Sequence, residues 1–188
     1  ITTLQAFPLG DERPNGLALV APQKSTEPSA PNFGTTGNDT LKIVNSNELI
    51  FARVGNDLID ATASEGGNRI YAGKGDDTLI LGSRDVLTGQ NGNDRFFVQT
   101  GGDNLLTGGL GADQFWIANT GIPEFASTIT DFTLGEDVIG IAGLGASFDK
   151  LTLTQQGNNT LIAFNNNQLS VLNGIQSSSL SASNFAFA

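Results

Sequence analysis

The residues of this chain best placed to do chemistry are five short turns, each ending in a carboxylate. They are Gly37-Asn38-Asp39, Gly55-Asn56-Asp57, Gly75-Asp76-Asp77, Gly92-Asn93-Asp94 and Gly111-Ala112-Asp113. Two residues after each aspartate stands an apolar anchor: Leu41, Ile59, Leu79, Phe96 and Phe115. Carboxylates and glycine carbonyls are hard oxygen ligands, the kind that suits calcium at about 2.3–2.6 Å. Glycine is needed where the backbone bends through positive φ and lets carbonyls converge on an ion. Without metal, carboxylates stacked a strand apart would repel. The plainer reading is a set of Asn/Asp–Gly turns that hold no metal.

The elements that position these turns follow from the anchors between them. Counting weaker copies, the anchors are Leu41, Ile50, Ile59, Ile70, Leu79, Leu87, Phe96, Leu105 and Phe115, spaced 9, 9, 11, 9, 8, 9, 9 and 10 residues apart. Helical periodicity does not fit this spacing; short strands joined by Gly turns do. A unit this small cannot bury its apolar residue alone, so the copies must stack on one another. With each anchor inward, the residue two further on is inward again, giving the row Ile43, Ala61, Leu81, Val98 and Ile117. The outward rows are Lys42, Asp60, Ile80, Phe97 and Trp116 on one sheet, and Phe51, Tyr71 and Leu106 on the other. The stripe Ile80–Phe97–Trp116 is expected to lie under the C-terminal region. Phe51–Tyr71 is left for the N-terminal arm or a partner, with an exposed carbohydrate platform the weaker use.

Composition narrows the function. The 188 residues carry a net charge of −10 with a pI near 4.1, which excludes a phosphate-neutralising nucleic-acid partner and an anionic membrane surface. A hydrophobic fraction of 38% with 12 Phe is too apolar for a disordered chain. With no His and no Cys, imidazole and thiol catalysis, disulfides and zinc sites of the usual kind are out. A hydrolase built on Asp76/Asp77 or Asp131/Asp137 is disfavoured, since those pairs sit in turns, and the chain is expected not to be an enzyme. No apolar run approaches the ~20 residues of a membrane span. The chain opens at Ile1 without a signal region and is expected to be a processed product or a fragment.

Three regions are expected. Residues 1–33 form an extended, Pro-containing arm that docks on the body or on a neighbouring copy. Residues 34–117 are the array. Residues 118–188 are a β-rich cap, with strands at Thr128–Phe132, Asp137–Ile141, Leu151–Leu153, Thr160–Phe164 and Leu169–Leu172, and turns at Gly157–Asn159 and Asn165–Asn167. The first coil has no evident cap, and its open edge could take a strand from Leu17–Val20 of the same chain or the next.

Three copies carry a family resemblance: Ala72-Gly73-Lys74-Gly75-Asp76-Asp77-Thr78-Leu79-Ile80, Gly89–Phe97 and Gly108–Trp116. They resemble the calcium-binding Gly-Gly-x-Gly-x-Asp-x-apolar-x nonapeptide of the RTX, or haemolysin-type, proteins exported by type I secretion. The stretch from Ile129-Thr130-Asp131-Phe132 to Gly135-Glu136-Asp137-Val138-Ile139 resembles the units that follow such arrays, particularly in cyanobacterial members. Asn184–Ala188 resembles the small-plus-aromatic ends of type I substrates. The resemblance implies an all-β parallel β-roll, secretion to the cell exterior or surface, and folding on Ca2+.

In such a roll two nonapeptides complete one coil, so odd and even turns stack on opposite edges. The odd edge then collects Asp39, Asp57, Asp77, Asp94 and Asp113, with Gly37, Gly55, Gly73, Gly75, Gly92, Gly109 and Gly111 shaping the turns. It is expected to hold about four calcium ions, one between each successive pair. On the even edge Glu48 is too long, Asn68 is neutral and Arg84 brings a cation; about one or two ions are expected there, on Asp85 and Asp103. The function implied is a secreted, calcium-folded structural module of an extracellular assembly, self-associating through the arm or the open roll end. The alternative is the C-terminal carrier region of a larger secreted enzyme.

Overall fold

Odd and even anchors separate into two sheets. The computed structural model describes residues 30–188. Sheet I contains β1 (Asn32–Phe33), β3 (Leu49–Val54), β5 (Arg69–Lys74), β7 (Val86–Asn91), β9 (Leu105–Leu110) and β11 (Ser127–Ile129). Sheet II contains β2 (Thr40–Lys42), β4 (Leu58–Asp60), β6 (Thr78–Ser83), β8 (Arg95–Gly102), β10 (Gln114–Ala118) and β12 (Val138–Ile141). Neighbours in each sheet pair in parallel, with Leu41 beside Ile59, Ile59 beside Leu79, and Phe96 beside Phe115. This is a parallel β-solenoid of about 6 turns.

The reason lies in the alternation. Anchors and the inward row two residues on fill the space between the sheets: Ile59, Leu79, Leu81, Phe96, Val98, Phe115 and Ile117 are all 0% exposed. Phe96 and Phe115 stack at 5.0 Å between ring centroids. Where coils differ in length, the difference is absorbed outside the odd turns. Beside Leu81–Ser83 the neighbouring strand carries Val98–Gly102, a register shift next to the even edge.

One anchor is corrected. Leu106, fully buried, is the inward residue of β9, while Leu105 is 40% exposed; Leu106 lies beside Leu87 and Leu105 beside Val86. Leu106 therefore does not belong to the outward row. A sequence signal distinguishes the two leucines. In sheet I the residue two after the anchor is small (Ala52, Ala72, Gly89), and only Leu106, followed by Gly108, continues that row.

The parallel register also runs beyond residue 117: β10 continues into β12, and β9 into β11. The far end is then closed by a meander of β13 (Leu151–Gln156), β14 (Asn159–Phe164) and β15 (Asn167–Leu172), with β15 parallel to β11. The 165–166 turn has both asparagines at positive φ, 49° and 64°, which matches a two-residue hairpin between right-twisted strands. The C-terminal β16 (Phe185–Phe187) joins sheet II beside β12. This region prolongs the sheets end-on, and it meets the stripe Ile80–Phe97–Trp116 where the Trp116 ring lies against Gly140. All three stripe residues remain half-buried.

At the other end the arm's last residues, Asn32 and Phe33, pair with Ile50 and Phe51. Phe33, Phe51 and Tyr71 form a stack at 5.4 and 4.9 Å, and the Arg53 guanidinium sits 4.9 Å over the Phe33 ring. Rings stacked face to face present edges outward, so this strip offers little ring surface to a sugar. The Leu17–Val20 segment and the proposed docking of residues 1–29 lie outside the described residues.

Candidate metal centre

The odd turns connect sheet I to sheet II, and their aspartates form a continuous ladder. Each donates its backbone N–H to the Oδ1 of the next: Asp39 to Asp57 and Asp57 to Asp77 at 2.7 Å, Asp77 to Asp94 and Asp94 to Asp113 at 2.8 Å, and Asp113 to Asp137 at 2.9 Å. One carboxylate oxygen is thus committed to holding the turns in register. The other, Oδ2, is buried without a hydrogen-bond partner on Asp57, Asp77, Asp94 and Asp113. A buried carboxylate oxygen with no donor is costly, and it is the arrangement that a cation would relieve.

The two ends differ. Oδ2 of Asp39 accepts the Thr35 N–H at 2.6 Å, and Oδ2 of Asp137 accepts the Thr133 N–H at 2.8 Å. The ladder is therefore closed at its first and last rungs by its own backbone and left open at the four between.

Backbone oxygens converge on the same line. A methyl placed on Gly89 would collide with Asp94 Oδ2 and stand 2.7 Å from the Gly108 carbonyl. A methyl on Gly108 would collide with Asp113 Oδ2. The carbonyls of Gly37, Gly55, Gly75 and Gly92 each point at the glycine of the next coil, Gly55, Gly75, Gly92 and Gly111. Those four have φ of 139°, 124°, 136° and 127°, values open to glycine alone at low cost. Gly73 and Gly109 (φ 125° and 112°) lie as closely over the carbonyls of Arg53 and Gln90. Among the described residues no three acidic side chains cluster around one point. A cation here would be held by carboxylates together with backbone carbonyls, which is what calcium accepts. Gly92→Ala, which adds a Cβ against the Gly75 carbonyl at positive φ, is expected to cost at least about 1–3 kcal/mol of stability in calcium, read as a lowered thermal midpoint.

A second ladder, which the sequence reading missed, runs on the outer side of the same turns in the opposite sense. Asn38, Asn56, Asp76 and Asn93 each accept on Oδ1 the backbone N–H of the following coil, from Asn56, Asp76, Asn93 and Ala112 at 2.8–3.0 Å. The Asn/Asp preference at this position carried the signal. The Asp131 carboxylate accepts the N–H groups of Gly108 and Gly109, both at 2.9 Å.

On the even edge the rungs are Glu48, Asn68, Asp85, Asn104 and Ser127, linked by the same backbone-to-side-chain pattern. Asp85 is the carboxylate of this row that is buried with an Oδ2 lacking a partner. Asp103 does not join it. It is exposed at φ 56°, one residue before the rung, and Asn104 takes the place expected for it. The displacement follows from the Leu105/Leu106 register. Arg84 turns outward and donates to the Glu65 carbonyl at 2.7 Å, leaving Asp85 between two amides.

Burial sets the protonation of the ladder. Desolvation, reinforced by neighbouring carboxylates, raises Asp94 and Asp113 to about 7 and Asp77 to about 6, and pushes Asp57 up as well. The ordinary value of 3.8 applies once the chain unfolds. Between pH 4 and 7 the metal-free roll thus holds more protons than the unfolded chain, so its stability is present at low pH and lost as pH rises through 6–7. In chelator, the thermal midpoint is expected to climb as pH falls from 8 to 5. In calcium, ion affinity should fall over the same interval, because protons compete for Oδ2.

The described residues thus form a parallel roll with a row of buried carboxylates along one edge. A model of the RTX calcium-binding nonapeptide repeat matches in 4 copies, over residues 44–79, 62–96, 81–103 and 100–116. Residues 44–116 are thus similar to RTX calcium-binding nonapeptide repeats. Among solved structures, the extracellular lipase LipA from Serratia marcescens is 18% identical with a TM-score of 0.37, over 85% of this chain and 40% of the lipase. Two subunits of the Azotobacter vinelandii mannuronan C5-epimerase are each 23% identical. AlgE6R2 has a TM-score of 0.41 over 86% of this chain and 97% of its own, and AlgE6R3 has 0.40 over 82% and 81%. The chain spans 40% of the length of the lipase it matches. No curated protein matches it.

Proposed function

We propose that this chain is a secreted structural module that folds on calcium and serves an extracellular surface or matrix assembly. The observation that carries the reading is the set of four buried, partnerless Oδ2 atoms on Asp57, Asp77, Asp94 and Asp113. Each of these would hold one ion together with carbonyls of the flanking turns, and Asp85 would hold a further one on the even edge. The glycines at 37, 55, 73, 75, 92, 109 and 111 shape the carbonyl cradle. Bound calcium supplies positive charge between rungs; the chain supplies the alignment, through Oδ1 and the outer Asn ladder. Asp76, Asp131 and Asp137 accept backbone N–H groups and so hold turns in place.

An extracellular site, where calcium is plentiful, agrees with this dependence, and no helix among the described residues is long and apolar enough to cross a membrane. Residues 34–141 would make up the roll and residues 142–188 its C-terminal closure. Assembly would run through the N-terminal end, where a neighbour's arm could string copies head to tail. Sedimentation with calcium over a range of concentrations tests that part: growth beyond a monomer supports it, and a monomer at every concentration ends it.

A further inference from the structure

The outer ladder beside the aspartate file carries a charge that its hydrogen bonds do not require. Its places in the array are Asn38, Asn56, Asp76, Asn93 and Ala112, each the exposed second residue of its turn. Asn38, Asn56 and Asn93 accept the next coil's backbone N–H on a neutral amide oxygen, at 2.8, 3.0 and 2.8 Å. Asp76 accepts that of Asn93 at 2.8 Å. A carboxylate acceptor thus makes no shorter bond here than the amides do, and an amide at position 76 would hold the turn as well.

The charge also stands where it is least welcome without metal. Asp76 adjoins Asp77 in sequence, and its bond to the Asn93 N–H carries its side chain toward the coil of Asp94. Coulomb repulsion from Asp76 falls on the carboxyls of both rungs. Those carboxyls are 1% and 0% exposed, and each has an Oδ2 without a hydrogen-bond partner. A further anion beside two buried ones opposes the metal-free roll. By the same law it strengthens the hold on a divalent cation at either oxygen. At on the order of 8 Å, under two strand spacings, a unit charge in water changes the affinity of a divalent ion about 5-fold. Glu136 holds the equivalent place in the turn beyond the array and acts on Asp113 and Asp137; that contribution is the same in every variant below.

We propose that Asp76 sets calcium affinity along the row: through its charge, and without ligating, it tightens the ions held at Asp77 and Asp94. The amides at the equivalent places of the neighbouring turns keep the register and leave their ions weaker. This deepens the calcium-folded reading and rests on it.

A charge swap along the row tests it. Asp76→Asn/Asn93→Asp keeps the net charge and every Oδ1 acceptor, and moves the anion one coil on, beside Asp94 and Asp113. Crystals equilibrated at limiting calcium, with ions measured by anomalous scattering, give the ratio of occupancy at Asp77 to that at Asp113. That ratio is expected to fall at least about 10-fold in the swapped protein, because one site loses a factor of about 5 and the other gains it. Ions present in an unchanged ratio would overturn the proposal. In solution, Asp76→Asn alone is expected to raise the calcium concentration needed for folding about 2- to 5-fold at low salt, read by circular dichroism. The difference should close near 1 M salt, where the Debye length is about 3 Å. A difference that persists there would assign Asp76 a packing role and overturn the proposal as well. An ordered roll with no ion at any rung is a separate outcome, and it would remove the calcium reading together with this one.

Discussion

In excess chelator at pH 8, the roll is expected to lose its β spectrum and expand, and to recover both on addition of calcium. Six carboxylates, from Asp39 to Asp137, lie in one hydrogen-bonded file. At the ~4.8 Å strand spacing, two ionised neighbours repel by about 3 kcal/mol at an effective dielectric constant of 20. Several such terms rival the ~5–15 kcal/mol by which domains are stable at all. Desolvation adds to them, because Oδ2 of four rungs is buried without a donor. Protons can replace the ion only at lower pH, where Asp94 and Asp113, raised to about 7, take them up. Circular dichroism with light scattering reads this directly. A spectrum unchanged by chelator would mean the ladder is stable as it stands.

The second large effect has opposite signs in the two states. Asp94→Asn keeps an oxygen to accept the Asp77 N–H but removes the charged Oδ2. In calcium it is expected to weaken binding at the flanking sites at least about 100-fold and to lower the thermal midpoint, since a carboxylate ligand contributes through its charge. In chelator at pH 8 the same variant is expected to be more stable than the parent, on the order of 2 kcal/mol, because it no longer buries an anion without a partner. A residue that merely packed would destabilise both states alike. Calcium titration calorimetry and thermal melts with and without chelator separate the two cases.

Much of this was legible in the sequence because the repeat imposes it. With two nonapeptides per coil, as the family resemblance implies, parity separates the anchors into two sheets and gathers the ordered carboxylates on one edge. What was misread turned on single-residue shifts. Leu105 and Leu106 are equally apolar, so the anchor could not be fixed from hydrophobicity; the small residue two positions on was the deciding signal. That shift alone moved the even-edge rung from Asn104 to Asp103. The continuation past residue 117 was obscured because Ser127–Ile129 has no Gly-x-Asp turn before it and the spacing lengthens, with Ile139 lying 24 residues after Phe115, although Gly135-Glu136-Asp137 keeps both turn and rung. The closing of the two end rungs by Thr35 and Thr133 is a backbone event, and residue types alone do not announce it.

A crystal structure of the calcium-loaded protein, with ions located by anomalous scattering, tests the central claim most directly. The account expects a row of four ions at about 2.3–2.6 Å from Oδ2 of Asp57, Asp77, Asp94 and Asp113, with a further one at Asp85. An ordered roll in which those oxygens meet only water would contradict it.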